Sequence, residues 1–322
     1  MATDAMQYIQ MANLRLREFA ELYYWQIVAQ GGSNYSKPKQ IRLSWQTSHQ
    51  NSISAVVFSK DRAMQLHALL VSFFETKVGE CEIVVIYTTT SGAHKCAYDE
   101  VAAIFSGRVK FVEQGNYSGF RDCLGQTVSQ LPKGKIFFLV DDIIFTEIVD
   151  YQLLASLDVS NTIFSLRMGE HLDYSYVVDA SQPLPKTLAV KDEFLTWEWR
   201  EGKLDWGYPL SVDGHVFSTS EVMLWIQHLE FESPSSFENS LQKLKYIYRH
   251  KRGMSFRKSR IVNIPANRVQ DEVNNLHGGI HQDDLLQQWN AGMAIDQGKF
   301  RGWVNRSVHQ EADFHLIRRE GK

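Results

Sequence analysis

The sequence predicts an α/β fold built on a mostly parallel sheet, and two observations support this prediction. Between residues 53 and 140, short apolar segments alternate with longer segments of helical periodicity, which is the pattern of βαβ units. One of the apolar segments runs into two adjacent acids, in "FFLVDDIIF" (137–145). Because a carboxylate inside a buried strand is costly, this pair indicates that the strand ends at a functional edge.

The regular part of the chain divides into seven elements. Right-handed crossovers are expected between its parallel strands. The predicted strands are 53–59, 81–89, 108–114 and 134–140, and the predicted helices are 61–75, 94–106 and 117–131.

The remainder is less regular. The segment 197–209 is dense in Trp and charge, and we predict an irregular stretch there instead of a core strand. Further elements are predicted as strands at 161–169 and 259–269, and as helices within 215–231 and 281–293. We therefore divide the chain into an N-terminal helix with its linker (1–52), a regular half (53–168) and an irregular half with the C-terminal segment (169–322).

Composition excludes several classes of protein. With a net charge of −3 over 322 residues, no global basic field suggests nucleic acid as a partner. The three cysteines form no CxxC pair, so free thiols are expected. No secretory signal or long apolar window is present, which predicts a cytoplasmic protein. Helix 4–30 either packs on the body or docks a partner or a membrane surface.

The acid pair suits a metal site. In open α/β sheets, ligands bind beyond the carboxyl ends of the strands, which is where Asp141 and Asp142 fall. Two carboxylates there suit a divalent cation that carries phosphate oxygens. The alternative is a helix N-cap, although Thr146 is better placed to cap a helix that follows.

The opening "VVFSKDRAMQLHALLVSF" (56–73), the "DD" after an apolar strand and the irregular second half resemble the GT-A glycosyltransferases. The likeness covers about residues 53–295 and is greatest to bacterial polysaccharide-type enzymes, more loosely to the exostosin type. It implies a Rossmann-like GT-A sheet with flanking helices, and Mn²⁺ or Mg²⁺. It also implies that a nucleotide diphosphate sugar donor binds in the half 53–168 and a carbohydrate acceptor in the half 169–322.

That family carries a DxD motif, in which the last acid ligates the metal. Val140 stands here in place of the first acid, so the resemblance implies Asp142 as metal ligand and Asp141 as a neighbour of the ribose or sugar. A late histidine often completes such a site. His277 matches that placement best, His281 is the alternative, and an exposed loop histidine is the plain interpretation of either.

Three arginines and one asparagine near the strand ends are candidates for contacts to the sugar donor. Arg62 follows the first strand and can reach phosphates, unless it only pairs with Asp61. Asn116 and Arg121 follow the third strand and are candidates for base or phosphate. Arg167 ends the strand after the acid pair, where donor sugar or phosphate is within reach.

The loop "LDWGYPLSVDGHVF" (204–217) supplies candidates for the acceptor. Trp206 and Tyr208 can stack on sugar faces if they are exposed, whereas buried packing is the alternative. In inverting members of the family, a carboxylate deprotonates the acceptor, which implies Asp213 as general base. His215 and Glu238 are the fallback bases, and Asp213 as a helix N-cap is the structural alternative.

The sequence thus predicts a metal-dependent, inverting glycosyltransferase of the cytoplasm, with peripheral attachment to the inner membrane as a variant. Motifs of P-loop kinases and nicotinamide enzymes are absent. One alternative is a sugar nucleotidyltransferase, although "SKDRAMQL" (59–66) lacks the glycines of its usual loop. Another is an inactive sugar-binding or scaffold module.

Overall fold

The computed structural model describes residues 51–265 and 281–319. The chain divides after Ser48, and all described residues belong to the unit His49–Lys322. The predicted N-terminal helix and His277 lie outside the described residues.

A nine-stranded sheet forms the centre of this unit, in the order β4–β3–β1–β5–β13–β8–β14–β12–β11. Only β13 and β12 run against the other seven strands, so the predicted mostly parallel α/β fold is confirmed. The strands are β1 (Ile53–Lys60), β3 (Glu82–Thr88), β4 (Lys110–Glu113), β5 (Lys135–Val140), β8 (Thr162–Ser165), β11 (Ala189–Lys191), β12 (Phe194–Glu198), β13 (His215–Ser218) and β14 (Arg252–Phe256).

Within the described residues, four two-stranded pairs accompany the sheet. Their strands are β2 (Lys77–Val78) with β7 (Val149–Asp150), β6 (Ile143–Phe145) with β15 (Ile261–Asn263), β9 (Tyr174–Ser175) with β10 (Ala180–Ser181), and β16 (Met293–Ile295) with β17 (Leu316–Arg318). The β6–β15 pair matters most for the site, because β6 directly follows the acid pair and β15 brings a distant segment beside it.

Helices cover both faces of the sheet. On one face, Val57 and Leu139 share a core with residues of helix α1 (Ala63–Thr76). On the other face, Phe58 packs on Phe120 of helix α3 (Phe120–Gln130). Because both faces are covered, β1 is an almost continuous buried apolar run. The helices are α1 (Ala63–Thr76), α2 (Gly92–Ile104), α3 (Phe120–Gln130), α4 (Tyr151–Ser156), α5 (Thr219–His228), α6 (Pro234–Leu241), α7 (Lys245–Tyr248) and α8 (Gln282–Asn290).

Two local predictions need correction. The segment 197–209 begins inside the sheet, because β12 pairs with β14 and buries Leu195 and Trp197 on alternate positions. The rest of the segment is irregular as predicted, with 3₁₀ turns at Trp199–Glu201 and Leu204–Gly207. The helix expected at Thr146 begins instead at Tyr151, where the Asp150 carboxylate caps it by accepting from two backbone amides. Thr146 is wholly buried, and its backbone N–H donates to Arg260.

Trp206 is a core residue, so the prediction of an exposed ring at this position is wrong. Its indole is 0% exposed, lies edge-on to Trp197 at 5.0 Å between ring centroids, and donates from Nε1 to the carbonyl of Leu172. The tight 3₁₀ turn Leu204–Gly207 directs the ring inward. Tyr208, one turn later, remains half-buried.

In the part of the chain that the structure describes, no helix has the length and apolarity needed to cross a bilayer. All three cysteines lie within these residues and are free thiols; Cys81 and Cys123 are buried and Cys96 is exposed.

Trp206→Ala is expected to lower the free energy of unfolding by about 3–5 kcal/mol, the usual effect of deleting a buried aromatic side chain. Denaturant unfolding measures this. Tyr246→Ala, at an aromatic residue that is 49% exposed, is the matched control and is expected to stay within about 0.5 kcal/mol. A Trp206→Ala variant as stable as the control would show that this ring is not part of the core.

Candidate functional site

The candidate site lies where the order of strands in the sheet reverses its direction. From β1 the chain passes to β3 and β4 on one side, and then returns to β5 on the other side of β1. The carboxyl ends of β1 and β5 are therefore neighbours, with Phe58 beside Val140. Such a switch point is the usual ligand crevice of open α/β sheets. Asp61 and Arg62 follow β1, and Asp141 and Asp142 follow β5.

Asp141 is anchored to the end of β1. Its side chain is almost fully buried, and its Oδ2 accepts from Ser59 Oγ at 2.8 Å and from the Lys60 backbone N–H at 3.1 Å. Oδ1 accepts from Arg62 Nη1 at 3.0 Å. These donors leave the carboxylate little freedom, so Asp141 fixes the geometry of the two strand ends.

Asp61 holds the other side of the crevice. Its backbone is in the left-handed region, at φ 55°, which Asp adopts more readily than most residues. The buried carboxylate accepts from the backbone N–H of Thr90 at 2.9 Å and from the Thr90 hydroxyl at 2.8 Å. The Asp61 carboxylate therefore binds Thr90. The predicted alternative, an ion pair between Arg62 and Asp61, is not among the contacts of the described residues.

Arg62 bridges the acid pair instead. Nη1 lies 3.0 Å from Asp141 Oδ1 and 3.2 Å from Asp142 Oδ2. Burial disfavours the cation, but the two carboxylates outweigh burial and raise the pKa of Arg62 above its ordinary value. One guanidinium thus neutralises part of the charge of both acids.

Asp142 is the less satisfied of the two acids. Its Oδ1 accepts from Asn263 Nδ2 at 2.9 Å, and its Oδ2 accepts from Arg62. Burial, together with the negative charges of Asp141 and Asp213, raises the pKa of Asp142 to about 6, although Arg62 opposes this rise. A second cation near Asp142 would relieve the same repulsion.

A second charged cluster comes from the other half of the chain. Asp213 Oδ2 lies 3.3 Å from His309 Nε2 and 3.6 Å from Arg167 Nη1. Burial alone would favour the neutral acid, but His309 and Arg167 lower the pKa of Asp213. Asp213 in turn raises the pKa of His309 against the effect of burial. The three side chains form an ion-paired cluster, and the negative charge of Asp213 acts on Asp142 of the acid pair.

A tight turn places Asp213. Gly214 has φ +71°, and a Cβ there would come within 2.4 Å of Ile261 Cδ1, so only glycine fits without displacement. Its N–H donates to the carbonyl of Phe138 on β5. Strand β13 begins at the next residue, and α5 is capped by Ser218. The N-cap alternative for Asp213 is therefore wrong.

Glu238 and Tyr208 complete the site. Glu238 Oε2 accepts a long hydrogen bond, 3.4 Å, from the backbone N–H of Val212. Burial and the charge of Asp213 raise the pKa of Glu238 to about 6, although its contact with Tyr208 opposes this rise. Burial and Glu238 likewise raise the pKa of Tyr208. The Tyr208 ring centroid lies 5.9 Å from the Arg167 guanidinium.

Two other residues that were predicted for the site make structural contacts instead. His215 is fully buried, its Nδ1 lies 3.0 Å from the carbonyl of Pro209, and burial lowers the pKa of the ring to about 3. The neutral ring therefore donates to Pro209. Arg121 donates to the carbonyls of Ile226 and Gln227 at the end of α5, so it closes that helix.

The remaining predicted residues lie at or beyond the edge of the site. Asn116 is exposed in the turn after β4, at the carboxyl edge of the sheet. His281 is the exposed N-cap of α8, and its Nδ1 accepts from the backbone N–H of Asp283. His277 lies outside the described residues.

Sequence reasoning missed Asn263 and His309. Both reach the site through tertiary pairing, since β15 pairs with β6 and Asn263 forms an isolated bridge with His309. Neither residue stands in a motif with recognisable spacing. The only sequence feature near Asn263 is the predicted strand at 259–269, which contains this residue and runs into a turn.

The donor set fits a cation that is shared with phosphate. Within residues 51–265 and 281–319, no group of three or more His, Cys, Asp or Glu side chains is arranged to hold a metal. However, Mg²⁺ is commonly held by one or two carboxylates together with substrate phosphates. Asp142, crowded by two other acids, meets that description.

No family model matches the chain. Among curated proteins, it is similar to the bifunctional glycosyltransferase pgtA of Dictyostelium discoideum, at 24% identity over 287 residues. The match includes 78% of this chain and 37% of that protein, so the chain spans little more than a third of the relative's length.

Among solved structures, TarS residues 1–349 from S. aureus, in complex with UDP-GlcNAc, give a TM-score of 0.42 at 14% identity. That alignment covers 63% of this chain and 55% of TarS 1–349. The mannosyltransferase PcManGT from Pyrobaculum calidifontis, in complex with GDP-Man and Mn²⁺, gives 0.39 at 12% identity and covers 72% and 60% of the two chains. The sequence similarity to the curated glycosyltransferase covers most of this chain.

Proposed function

We propose that this protein transfers a sugar from a nucleotide diphosphate sugar to a hydroxyl group of a carbohydrate acceptor, with inversion and with the help of a divalent cation. The arrangement of Arg62 between Asp141 and Asp142 at the switch point of the sheet carries this proposal. The similarity to a curated glycosyltransferase supports it.

The donor diphosphate fits beside the acid pair. Arg62 follows the end of β1 and presents a permanently charged guanidinium, which suits phosphate oxygens. Asp142 would hold a divalent cation, and when bound this cation neutralises the charge that develops on the leaving diphosphate. Asp141 keeps the strand ends together and lies next to the sugar or ribose.

The acceptor side is formed by Tyr208, Glu238 and the Asp213 cluster. A general base is most effective when its pKa lies near the working pH. The raised pKa of Glu238 satisfies this condition, whereas His309 and Arg167 make Asp213 a weaker base. We therefore propose Glu238 as the base, in place of Asp213, and assign to Asp213 the positioning of Arg167 and His309.

The proposed reaction is a single displacement at the anomeric carbon of the donor sugar. The acceptor oxygen forms a bond to the anomeric carbon, and the bond from that carbon to the diphosphate oxygen breaks with its electron pair. The hydroxyl proton passes to a Glu238 oxygen. Arg62 stabilises the leaving diphosphate, and the half-buried Tyr208 beside Glu238 provides a partly apolar surface for a sugar face.

The two alternative functions, a sugar nucleotidyltransferase and an inactive sugar-binding module, would require other ligands or other side chains. A sugar nucleotidyltransferase would bind a sugar phosphate and a nucleoside triphosphate, and the residues Asp61 to Leu66 after β1 contain no glycine for a phosphate loop. An inactive sugar-binding module would keep an aromatic surface for sugar but would need no metal and would turn over no donor. Incubation with a panel of nucleotide sugars and Mn²⁺ or Mg²⁺, scored for hydrolysis and thermal shift, separates transfer from both.

Asp142→Asn is expected to abolish the dependence on divalent cation and most activity, because a charged ligand is lost while the shape is kept. Turnover of the donor that the panel identifies, measured with and without chelator, tests this. Asp173→Asn, at an exposed acid paired with Arg306, is the control and is expected to behave as the parent protein. Full activity of Asp142→Asn in the presence of chelator would contradict the metal role.

Glu238→Gln is expected to lower kcat by about 10²–10⁴, because the amide cannot accept the acceptor proton. Donor binding is expected to stay unchanged, since Asp141, Asp142 and Arg62 hold the donor. In the parent protein, kcat is expected to fall as the pH drops below about 6, where both Glu238 and Asp142 become protonated.

The same measurements on Asp213→Asn separate the two acids. Because the pKa of Asp142 is also raised to about 6, the acidic limb of the pH profile does not identify the base. We expect instead that Glu238→Gln loses far more of kcat than Asp213→Asn, because Asp213 only positions Arg167 and His309. Glu170→Gln, at a surface acid paired with Arg257, controls for the substitution itself. Retention of anomeric configuration in the product would overturn the base assignment for both acids.

A further inference from the structure

One segment beside the proposed acceptor site carries an excess of positive charge. Residues 239–260 contain eight Lys and Arg and no Asp or Glu, in a chain whose net charge is −3. Four of these cations pair with acids from other parts of the chain. The pairs are Lys251–Glu221, Arg257–Glu170, Lys258–Glu147 and Arg260–Glu147. The other four, for which the described residues supply no ion-pair partner, are Lys243, Lys245, Arg249 and Arg252.

Three of these four cations lie on one exposed helical segment. Arg252 begins β14 opposite Glu198 of β12, so a neighbouring acid is available to it. Lys243, Lys245 and Arg249 instead follow α6, where the backbone stays in the right-handed helical region through a 3₁₀ turn and α7. All three residues are exposed, and we call them the basic ridge.

The basic ridge starts at the proposed acceptor site. Lys245 and Arg249 follow Glu238 by seven and eleven residues, which places all three on one face of a helix. Glu238 contacts Tyr208, and the Tyr208 ring centroid lies 5.8 Å from Lys245 Nζ. Glu238 is half-buried, whereas Lys245 and Arg249 are exposed. This face therefore leads from the crevice to the surface.

We propose that the carbohydrate acceptor carries phosphate, and that the basic ridge binds this phosphate while the acceptor hydroxyl lies at Glu238. Seven helical residues rise by about 10 Å, so the phosphate is expected about that far from the reacting hydroxyl. An acceptor that stacks on Tyr208 then passes Lys245 and Arg249 as it leaves the crevice. This inference rests on the proposed function, because it assumes that Glu238 receives the acceptor proton.

Phosphate is the group that fits these side chains best. Lys245 and Arg249 are four residues apart on a helix, so their Cβ atoms lie about 6 Å from one another, and both side chains can reach one phosphate. The planar fork of an arginine matches two phosphate oxygens, and a lysine adds a point charge. Neighbouring cations without an acid partner also repel one another, and a bound anion relieves that repulsion.

An anionic bilayer is the other partner that attracts exposed cations. The contact between Lys245 and Tyr208 favours an acceptor, because it joins the basic ridge to the site where the acceptor is proposed to bind.

Binding of inorganic tripolyphosphate, measured by titration calorimetry with chelator present, tests the basic ridge without any turnover. Chelator removes the divalent cation on which binding at Asp142 is proposed to depend. The double variant Lys245→Gln/Arg249→Gln is expected to bind tripolyphosphate about tenfold more weakly than the parent protein, which corresponds to about 1.4 kcal/mol.

The matched control is the double variant Arg257→Gln/Lys258→Gln. It also removes one exposed arginine and one exposed lysine, but these two are paired with acids. Both double variants change only exposed side chains, so both are expected to fold. The control is expected to bind tripolyphosphate as tightly as the parent protein, although its net charge equals that of the ridge variant.

A second measurement uses the donor that the nucleotide-sugar panel identifies. Oligosaccharide acceptors are supplied in pairs, with and without one phosphate monoester. The parent protein is expected to show the lower KM for the phosphorylated member. Lys245→Gln/Arg249→Gln is expected to raise that KM about tenfold and to leave the KM of the neutral member unchanged, a separation that a purely structural role would not produce.

Absence of tripolyphosphate binding by the parent protein, or equal losses in the two double variants, would overturn the inference. A parent protein that prefers neutral acceptors would overturn it as well. If Lys245→Gln/Arg249→Gln loses binding to phosphatidylserine vesicles but keeps the preference for phosphorylated acceptors, the basic ridge is a membrane surface instead. Failure of the proposed function gives a different result, since the parent protein would then turn over no nucleotide sugar, whatever its affinity for tripolyphosphate.

Discussion

The burial of two adjacent carboxylates at the meeting point of β1 and β5 is the constraint on which the rest of the site depends. Asp141 and Asp142 cannot both be ionised in a dry crevice unless a positive charge compensates them. Arg62 supplies that charge from the end of β1. Removal of one partner from such a buried pair costs about 3–5 kcal/mol. The same charge that holds the two strand ends together thus leaves Asp142 poised for a second cation.

The surrounding fold delivers the groups that this crevice needs. The order of the strands brings the ends of β1 and β5 together, and β6 continues from the acids into a pair with β15, so that Asn263 reaches Asp142. Antiparallel β13 lies against β5, and the Gly214 turn before it sets Asp213 into the same charged region. The two halves of the chain therefore meet through hydrogen bonds between strands, and Asp213 of the second half raises the pKa of Asp142 in the first.

The parts of the fold that sequence reasoning predicted well are those that local pattern controls. The strands and helices from Ile53 to Val140 follow from apolar runs that alternate with amphipathic helices, and the acid pair follows from its place after β5. Trp206 was misplaced because composition alone does not distinguish an exposed aromatic loop from a buried turn. Asn263 and His309 could not be found, since long-range pairing brings them to the site and no local spacing marks them. The preference for Glu238 over Asp213 likewise depends on neighbours that only the folded chain assembles.

A crystal structure with the nucleoside diphosphate and Mn²⁺ tests the central claim most directly, which is that the crevice between β1 and β5 binds a diphosphate through a cation held by Asp142. The account predicts an anomalous manganese peak about 2.0–2.2 Å from an Asp142 oxygen, as expected for a small divalent ion on oxygen ligands, with the diphosphate between the ion and Arg62. Nucleotide bound away from the carboxyl edge of the sheet, or manganese bound without contact to Asp142, would contradict it.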